Sequence, residues 1–87
     1  MFKFTDMHEN ELHNGDYIAF GKFPKLYRKI DHFEQSADFA YMYDDNTNIL
    51  WSISLLRVAD DWMMTCARAS NLEKVSEEEY LQWIMEQ

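Results

Sequence analysis

Apolar residues recur with a period of two along most of the chain, the spacing of strands that bury one face. Phe2 and Phe4 alternate with Lys3 and Thr5 and predict a short first strand. Asn14-Gly15 supplies the positive φ angles of a tight turn, and the run DYIAF after it predicts a strand over residues 16–20. Phe23-Pro24-Lys25 reads as a loop, because proline biases its predecessor toward extended backbone and cannot donate to a ladder. A further strand runs through LYRKIDHF. The polar cluster EQSAD, residues 34–38, separates it from FAYMY, where Phe39, Tyr41 and Tyr43 share one face and Ala40 and Met42 the other.

DDNTN, residues 44–48, is a turn built of residues whose short side chains bond local backbone and tolerate left-handed conformations. Its hairpin partner is NILWSIS, with Ile49, Trp51 and Ile53 on one face and Leu50, Ser52 and Ser54 on the other. A short irregular turn around Leu55-Leu56 follows. Asp60-Asp61 then turns the chain into WMMTCARA, the expected fifth strand of a meander.

The period changes at the end of the chain. Ser76 stands three residues before Glu79, the spacing of a capping box, and Glu77, Glu78 and Glu79 put negative charge where a helix N-terminus favours it. A helix over residues 77–87 carries Tyr80, Trp83 and Ile84 on one stripe, widened by Leu81 and Met85. So short a helix is marginal alone in water, so docking of that stripe must hold it. The expected fold is mainly β (α+β) in a single domain of residues 1–87. A sheet core over 14–68, either a small five-stranded antiparallel barrel or a bent sheet, is joined to one C-terminal helix over 77–87.

The order GDYIAF, LYRKI, FAYMYDDNTNI, ISLLRVAD resembles the small SH3-like barrels of the Tudor type over residues 14–60. In that family a strand ending near a bulky residue is followed by a WYRA-x-I/V strand, an x-V-x-F-x-D-Y-G-N hairpin and a strand closing on L-R. Leu26-Tyr27-Arg28, Tyr41-Met42-Tyr43-Asp44 and Leu56-Arg57 stand in for the last three elements, with Asp45-Asn46-Thr47 in place of the family's Tyr-Gly-Asn. The resemblance implies an aromatic cage for methylated Arg or Lys, to which Tyr17, Tyr41, Tyr43 and Trp51 could contribute through cation–π attraction. The same four rings equally suit the core or the half-buried surface of a small sheet.

With 87 residues the chain buries only about 60–65% of its unfolded surface, so bulky side chains must compensate. Three Trp, five Tyr, six Phe and six Met supply them. MFKFTDMHENEL has no apolar run ahead of its first acidic residues, and no segment approaches the ~20 apolar residues of a membrane span. Cys66 is the lone cysteine, which excludes an internal disulfide and suits a reducing compartment. The expectation is a cytoplasmic protein with no membrane partner.

Catalytic patterns are sparse. His8, Glu9, Glu11 and His13 are metal-ligating types, but the separation of the two His matches no recognised pattern. Cys66 and His32 would act as thiolate and base only if the fold joined them, and a lone Cys amid Trp62, Met64 and Ala67 suits a core. No Gly-rich phosphate loop, nucleophile elbow or supported carboxylate pair occurs. No enzyme, metal or cofactor is expected.

Charge says more. The formal net charge is −8, yet Lys22, Lys25, Arg28 and Lys29 gather half of all cationic side chains within eight residues. That cluster is expected to balance the fold's own acidity. From Ile30 onward twelve acidic residues face only Arg57, Arg68 and Lys74, which disfavours direct nucleic-acid binding. The clusters Asp44-Asp45, Asp60-Asp61 and Glu77-Glu78-Glu79 would steer the molecule toward a basic partner surface, and such surfaces are commonest on nucleic-acid-binding proteins. Two functions follow as expectations. One is a compact acidic inhibitor of the kind phages and mobile elements make, occupying a partner's nucleic-acid groove. The other is a reader of cationic or methylated peptides.

Overall fold

The computed structural model describes residues 3–54 and 66–87 of the chain. Its elements in order are β1 (Lys3–Thr5), β2 (Tyr17–Phe20), β3 (Leu26–Gln35), β4 (Phe39–Asp44), β5 (Ile49–Ser54), β6 (Cys66–Arg68), β7 (Glu73–Val75) and α1 (Glu77–Met85). The expected turn at Leu55-Leu56, the Asp60-Asp61 pair, Arg57 and the start of the WMMTCARA strand lie outside the described residues, as does Phe2.

The protein is mainly β: a five-stranded antiparallel open sheet, in the order β5-β4-β3-β2-β7, plus one C-terminal helix. Of the two expected forms, barrel or bent sheet, the described strands form no barrel. Four of the five strands are those the alternation predicts. The fifth differs. The described part of the expected fifth strand is β6, which pairs in parallel with β1 outside the main sheet. The fifth place goes to the three-residue β7, hydrogen-bonded to β2. Gly15, with φ 89°, makes the turn predicted at Asn14-Gly15, and its N–H donates to the Ile30 carbonyl at 2.8 Å.

One face of the sheet carries the core. Ile18, Ile30, Ala40 and Met42 are buried there against Phe4, Leu12, Ala69 and Leu72, which belong to the N-terminal layer and the β6–β7 connection. Phe4 stacks on Phe33 at 5.2 Å and meets the Trp51 ring edge-on at 5.3 Å. A register shift separates the pairs Met42↔Trp51 and Tyr43↔Ile49. Two residues of β5 then oppose one of β4, as in a β-bulge. Ile49 therefore does not share the face of Trp51 and Ile53 as the simple alternation predicts: it is 57% exposed, and Leu50 packs on the core instead.

Two turns hold this arrangement with buried carboxylates. Asp6 Oδ1 accepts from the backbone N–H groups of His8 at 2.9 Å and Asn10 at 2.8 Å; Oδ2 accepts from Asn10 Nδ2 at 3.2 Å and from the Lys74 N–H at 2.7 Å. Asp44 repeats the local part of this set with the N–H groups of Asn46 and Asn48 and with Asn48 Nδ2. Burial by itself would raise both carboxyl pKa values, but these hydrogen bonds outweigh it and hold them below the ordinary 3.8.

Helix α1 is capped as predicted: Ser76 Oγ accepts from the Glu79 N–H at 3.1 Å. It rests on β2 and β3, on the face opposite Ile18 and Ile30, through two ring contacts. Tyr80 lies 4.4 Å from Tyr17, and Trp83 lies 5.4 Å from Tyr27. Ile84, expected as an anchor, is 43% exposed, and no residue of the helix is fully buried. Docking is aromatic rather than aliphatic because β2 and β3 offer Tyr17 and Tyr27 on this side. The basic cluster completes the cradle. Lys29 Nζ sits 5.8 Å from the Tyr17 ring, Lys25 Nζ 5.6 Å from Tyr27 and the Arg28 guanidinium 5.9 Å from Trp83. Lys25 also pairs with Glu73 at 3.4 Å. Most of the cluster thus serves the fold, each exposed cation–π contact adding on the order of 0.5–1 kcal/mol.

Candidate docking face

The same sheet side that holds α1 over β2 and β3 continues across β3, β4 and β5 with no described element upon it. Alternation and register assemble its surface in rows: His32↔Tyr43↔Ile49, then Glu34↔Tyr41↔Ser52, then Phe39↔Ser54. The rings make a continuous line. Phe39 and Tyr41 stack at 5.9 Å, Tyr41 and Tyr43 follow at 6.0 Å, and Tyr43 stacks on His32 at 4.8 Å with planes 10° apart. Phe39 is 42% exposed, so the line presents apolar surface as well as tyrosine rings.

Carboxylates border these rings. Residues 30–54 contain the exposed Asp31, Glu34, Asp38 and Asp45, the buried Asp44, and not one Lys or Arg. His32 is held between two of them, its Nδ1 2.7 Å from Asp31 and its Nε2 3.3 Å from Glu34. The hydrogen bond with Asp31 is the main reason its pKa lies above the ordinary 6.5; burial opposes the shift and Glu34 reinforces it. Burial, then the Glu34 carboxylate, pushes the Tyr43 hydroxyl up. A face of this kind offers ring faces and negative charge together, the two features that hold an ammonium or guanidinium group.

The residues singled out in the sequence scatter. Tyr41 and Tyr43 are neighbours on the face. Tyr17 is not with them: it lies under α1 between Tyr80 and Lys29. Trp51 points to the opposite side and packs on Phe4, so no four-ring cage forms. Asp44 is no partner-facing acid either, being 1% exposed with its oxygens committed to the turn. Asp45 is exposed beside it, Glu77, Glu78 and Glu79 are exposed at the start of α1, and Asp60 and Asp61 lie outside the described residues. The face residues the sequence reading did not assign to partner binding are Glu34, Phe39 and His32, the last considered only as a base for Cys66. The signal for Phe39 was its shared parity with Tyr41 and Tyr43, visible in FAYMY; His32 and Glu34 join them through strand pairing.

The N-terminal histidines do not converge. His8 pairs with Glu73 at 3.8 Å, while His13 lies between Glu11 at 3.4 Å and Asp16 at 3.6 Å. Among the described residues no cluster of three metal-ligating side chains occurs, and no helix is long and apolar enough to cross a membrane. A hollow of about 490 Å³ is lined by Phe4, Leu12 and Phe33 together with Lys3, Glu11 and His13, and Glu11 pairs with both Lys3 and His13. No family model, curated protein or solved structure matches the chain.

Proposed function

We propose that this is a non-enzymatic docking protein that takes a basic segment of a partner protein on the open β3–β5 face. The observation that carries this reading is the ring line Phe39–Tyr41–Tyr43–His32 set among carboxylates, in a stretch with no Lys or Arg of its own. The Tyr41 and Tyr43 rings would lie against the side-chain stem and charge of a partner Lys or Arg, and Glu34 and Asp38 would meet the cation. The acidity of the whole chain, net −8, steers encounter from a distance and favours partners whose basic surface also binds nucleic acid. The peptide-reader and acidic-inhibitor readings share this chemistry and differ in the partner's form.

The test is a titration of isotope-labelled protein with a Lys-rich peptide, unmodified and trimethylated, followed by amide shifts. Shifts concentrated on β3–β5, lost in Tyr41→Ser/Tyr43→Ser and weakened by salt, support the reading. Shifts spread evenly over every acidic residue, or none, overturn it. A pull-down from the source organism then distinguishes an intact protein partner from a free tail, and competition by nucleic acid for the captured partner identifies the inhibitor form.

A further inference from the structure

The loop joining β2 to β3 carries the most exposed large apolar side chain among the described residues. Phe23 is 99% exposed, while the next most exposed phenylalanine, Phe39, is 42% exposed. Beside Phe23, Lys22 has no carboxylate partner among the described residues, unlike Lys25, which is tied to Glu73. The loop itself is tightly closed: Gly21 has φ 83°, and a Cβ there would come within 2.8 Å of the Pro24 carbonyl oxygen. A tightly built loop thus presents an aromatic ring and a free ammonium group to solvent.

The chain contains both halves of one interaction. We infer that the protein associates with a second copy of itself head to tail, Lys22 and Phe23 of one copy docking on the Phe39–Tyr41–Tyr43 face of the next. The inference rests on the docking face proposed above and names one occupant for it. The complementarity is twofold. Phe23 would add a ring to a line of rings, a geometry aromatic pairs favour, and Lys22 would meet Glu34 or Asp38 beside a tyrosine face. A loop cannot reach its own face. Phe23 lies in the loop ahead of β3 and Glu34 near the strand's far end, and from Leu26 to Glu34 alone the strand runs roughly 25 Å at about 3.3 Å per residue. Because the loop and the face are different patches, the contact is heterologous and continues into a ring or a chain instead of stopping at a symmetric pair. The net charge of −8 on each copy opposes association, so the contact is weak and fills only at high protein concentration.

Sedimentation of the full chain from about 10 μM to 1 mM reads this directly, a range suited to weak contacts. The parent should gain mass with concentration and pass beyond a dimer. Phe23→Ser, a change at a fully exposed position that leaves the core untouched, should remain monomeric, its dissociation constant raised about tenfold or more. Tyr41→Ser/Tyr43→Ser should do the same by removing the acceptor. Mixing the two variants is decisive: one keeps the face and the other keeps the loop, so the mixture should form a one-to-one dimer that grows no further. A parent that stays monomeric at 1 mM, a Phe23→Ser protein that associates like the parent, or a mixture that stays monomeric each overturns the inference. A Tyr41→Ser/Tyr43→Ser protein that associates like the parent overturns it too, in favour of a symmetric Phe23-to-Phe23 contact. The docking face is judged separately: Phe23→Ser retains it and should bind the Lys-rich peptide as the parent does, whereas a parent that binds no peptide overturns the face itself.

Discussion

At residues 6–10 and 44–48 the backbone makes the same turn from the same parts, DMHEN in one place and DDNTN in the other. In each, the aspartate N–H donates to the carbonyl of the asparagine four residues on, at 2.9 and 3.0 Å. The fourth residue takes a left-handed conformation, Glu9 at φ 66° and Thr47 at φ 61°, and its N–H donates back to the aspartate carbonyl. Each carboxylate gathers two backbone N–H groups and the asparagine amide. One bond distinguishes them. Asp6 also accepts from the N–H of Lys74, which ties the N-terminal layer to β7, an edge of the sheet. Asp44 closes only its own hairpin. The same local chemistry is therefore a tertiary clamp at one site and a turn at the other.

The sharpest way to break this comparison is Asp6→Asn. An asparagine offers one acceptor oxygen and one NH₂ group, so satisfying the His8 and Asn10 N–H groups sets a donor against the Lys74 N–H. That backbone donor cannot turn round. The loss should be about 2–4 kcal/mol, read as a lowered denaturant midpoint, because a charged acceptor disappears and a part-buried donor is left unmet. An Asp6→Asn loss under about 1 kcal/mol would mean that the bond to Lys74 carries nothing.

Acid should act on both turns together. Both carboxyl groups have folded-state pKa values depressed below 3.8. The stability each supplies is complete above the unfolded-state value and is lost as pH falls through about 4 toward the depressed folded values. The melting temperature of the parent should therefore drop steeply below about pH 4. Each Asn variant, having one such carboxylate fewer, should lose less over that interval. A parent curve flat to pH 2 would mean that folding depresses neither carboxyl pKa.

Asp44→Asn should cost less, under about 1 kcal/mol by the same measurement, because the second oxygen of Asp44 meets only the Asn48 side chain. That amide can flip and present its oxygen to the new NH₂ group, restoring the pair. A loss as large as that of Asp6→Asn would show that the charge itself, with Arg28 nearby, and not the bond count, holds the hairpin.

Much of the architecture could be read from alternation. β2 to β5 and the capped helix announce themselves through FAYMY, NILWSIS and the Ser76–Glu79 spacing, because each is long enough to show its period. The remainder had no local signal. β7 is three residues, EKV, too short for any period, and what ties it in, the ladder to β2 and the Asp6–Lys74 bond across most of the chain, is long-range. The β1–β6 pairing is parallel and joins distant segments. Ile49 leaves its expected face because a register shift intervenes, and no residue type in NILW announces one. Asp44 was read as a solvent-facing charge because turns are usually exposed. The repeated D-x-x-x-N spacing was printed twice in the sequence, but only the structure shows that it turns the carboxylate inward. For the docking face, Tyr41 and Tyr43 were legible and Tyr17 and Trp51 were misplaced, since parity within one strand is local while the face a strand presents is set by its neighbours.

The left-handed residue gives the finest contrast between the turns. A side chain at φ near 60° crowds its own carbonyl, at a cost of roughly 1–2 kcal/mol that glycine avoids. Glycine in turn loses more freedom on folding, about 0.5–1 kcal/mol, so the net gain from substitution is small and positive. At Thr47 the branched Cβ makes the conformation least tolerable. The hydroxyl that donates to the Asn46 carbonyl at 2.6 Å is exposed, and water replaces it readily. Thr47→Gly should therefore raise stability by up to about 1 kcal/mol, and Glu9→Gly by less, because an unbranched side chain is better accommodated there. Both are measurable as shifts in the denaturant midpoint at neutral pH. Should Thr47→Gly lower the midpoint while Glu9→Gly raises it, the threonine hydroxyl is structural, and the two turns differ in more than the bond to Lys74.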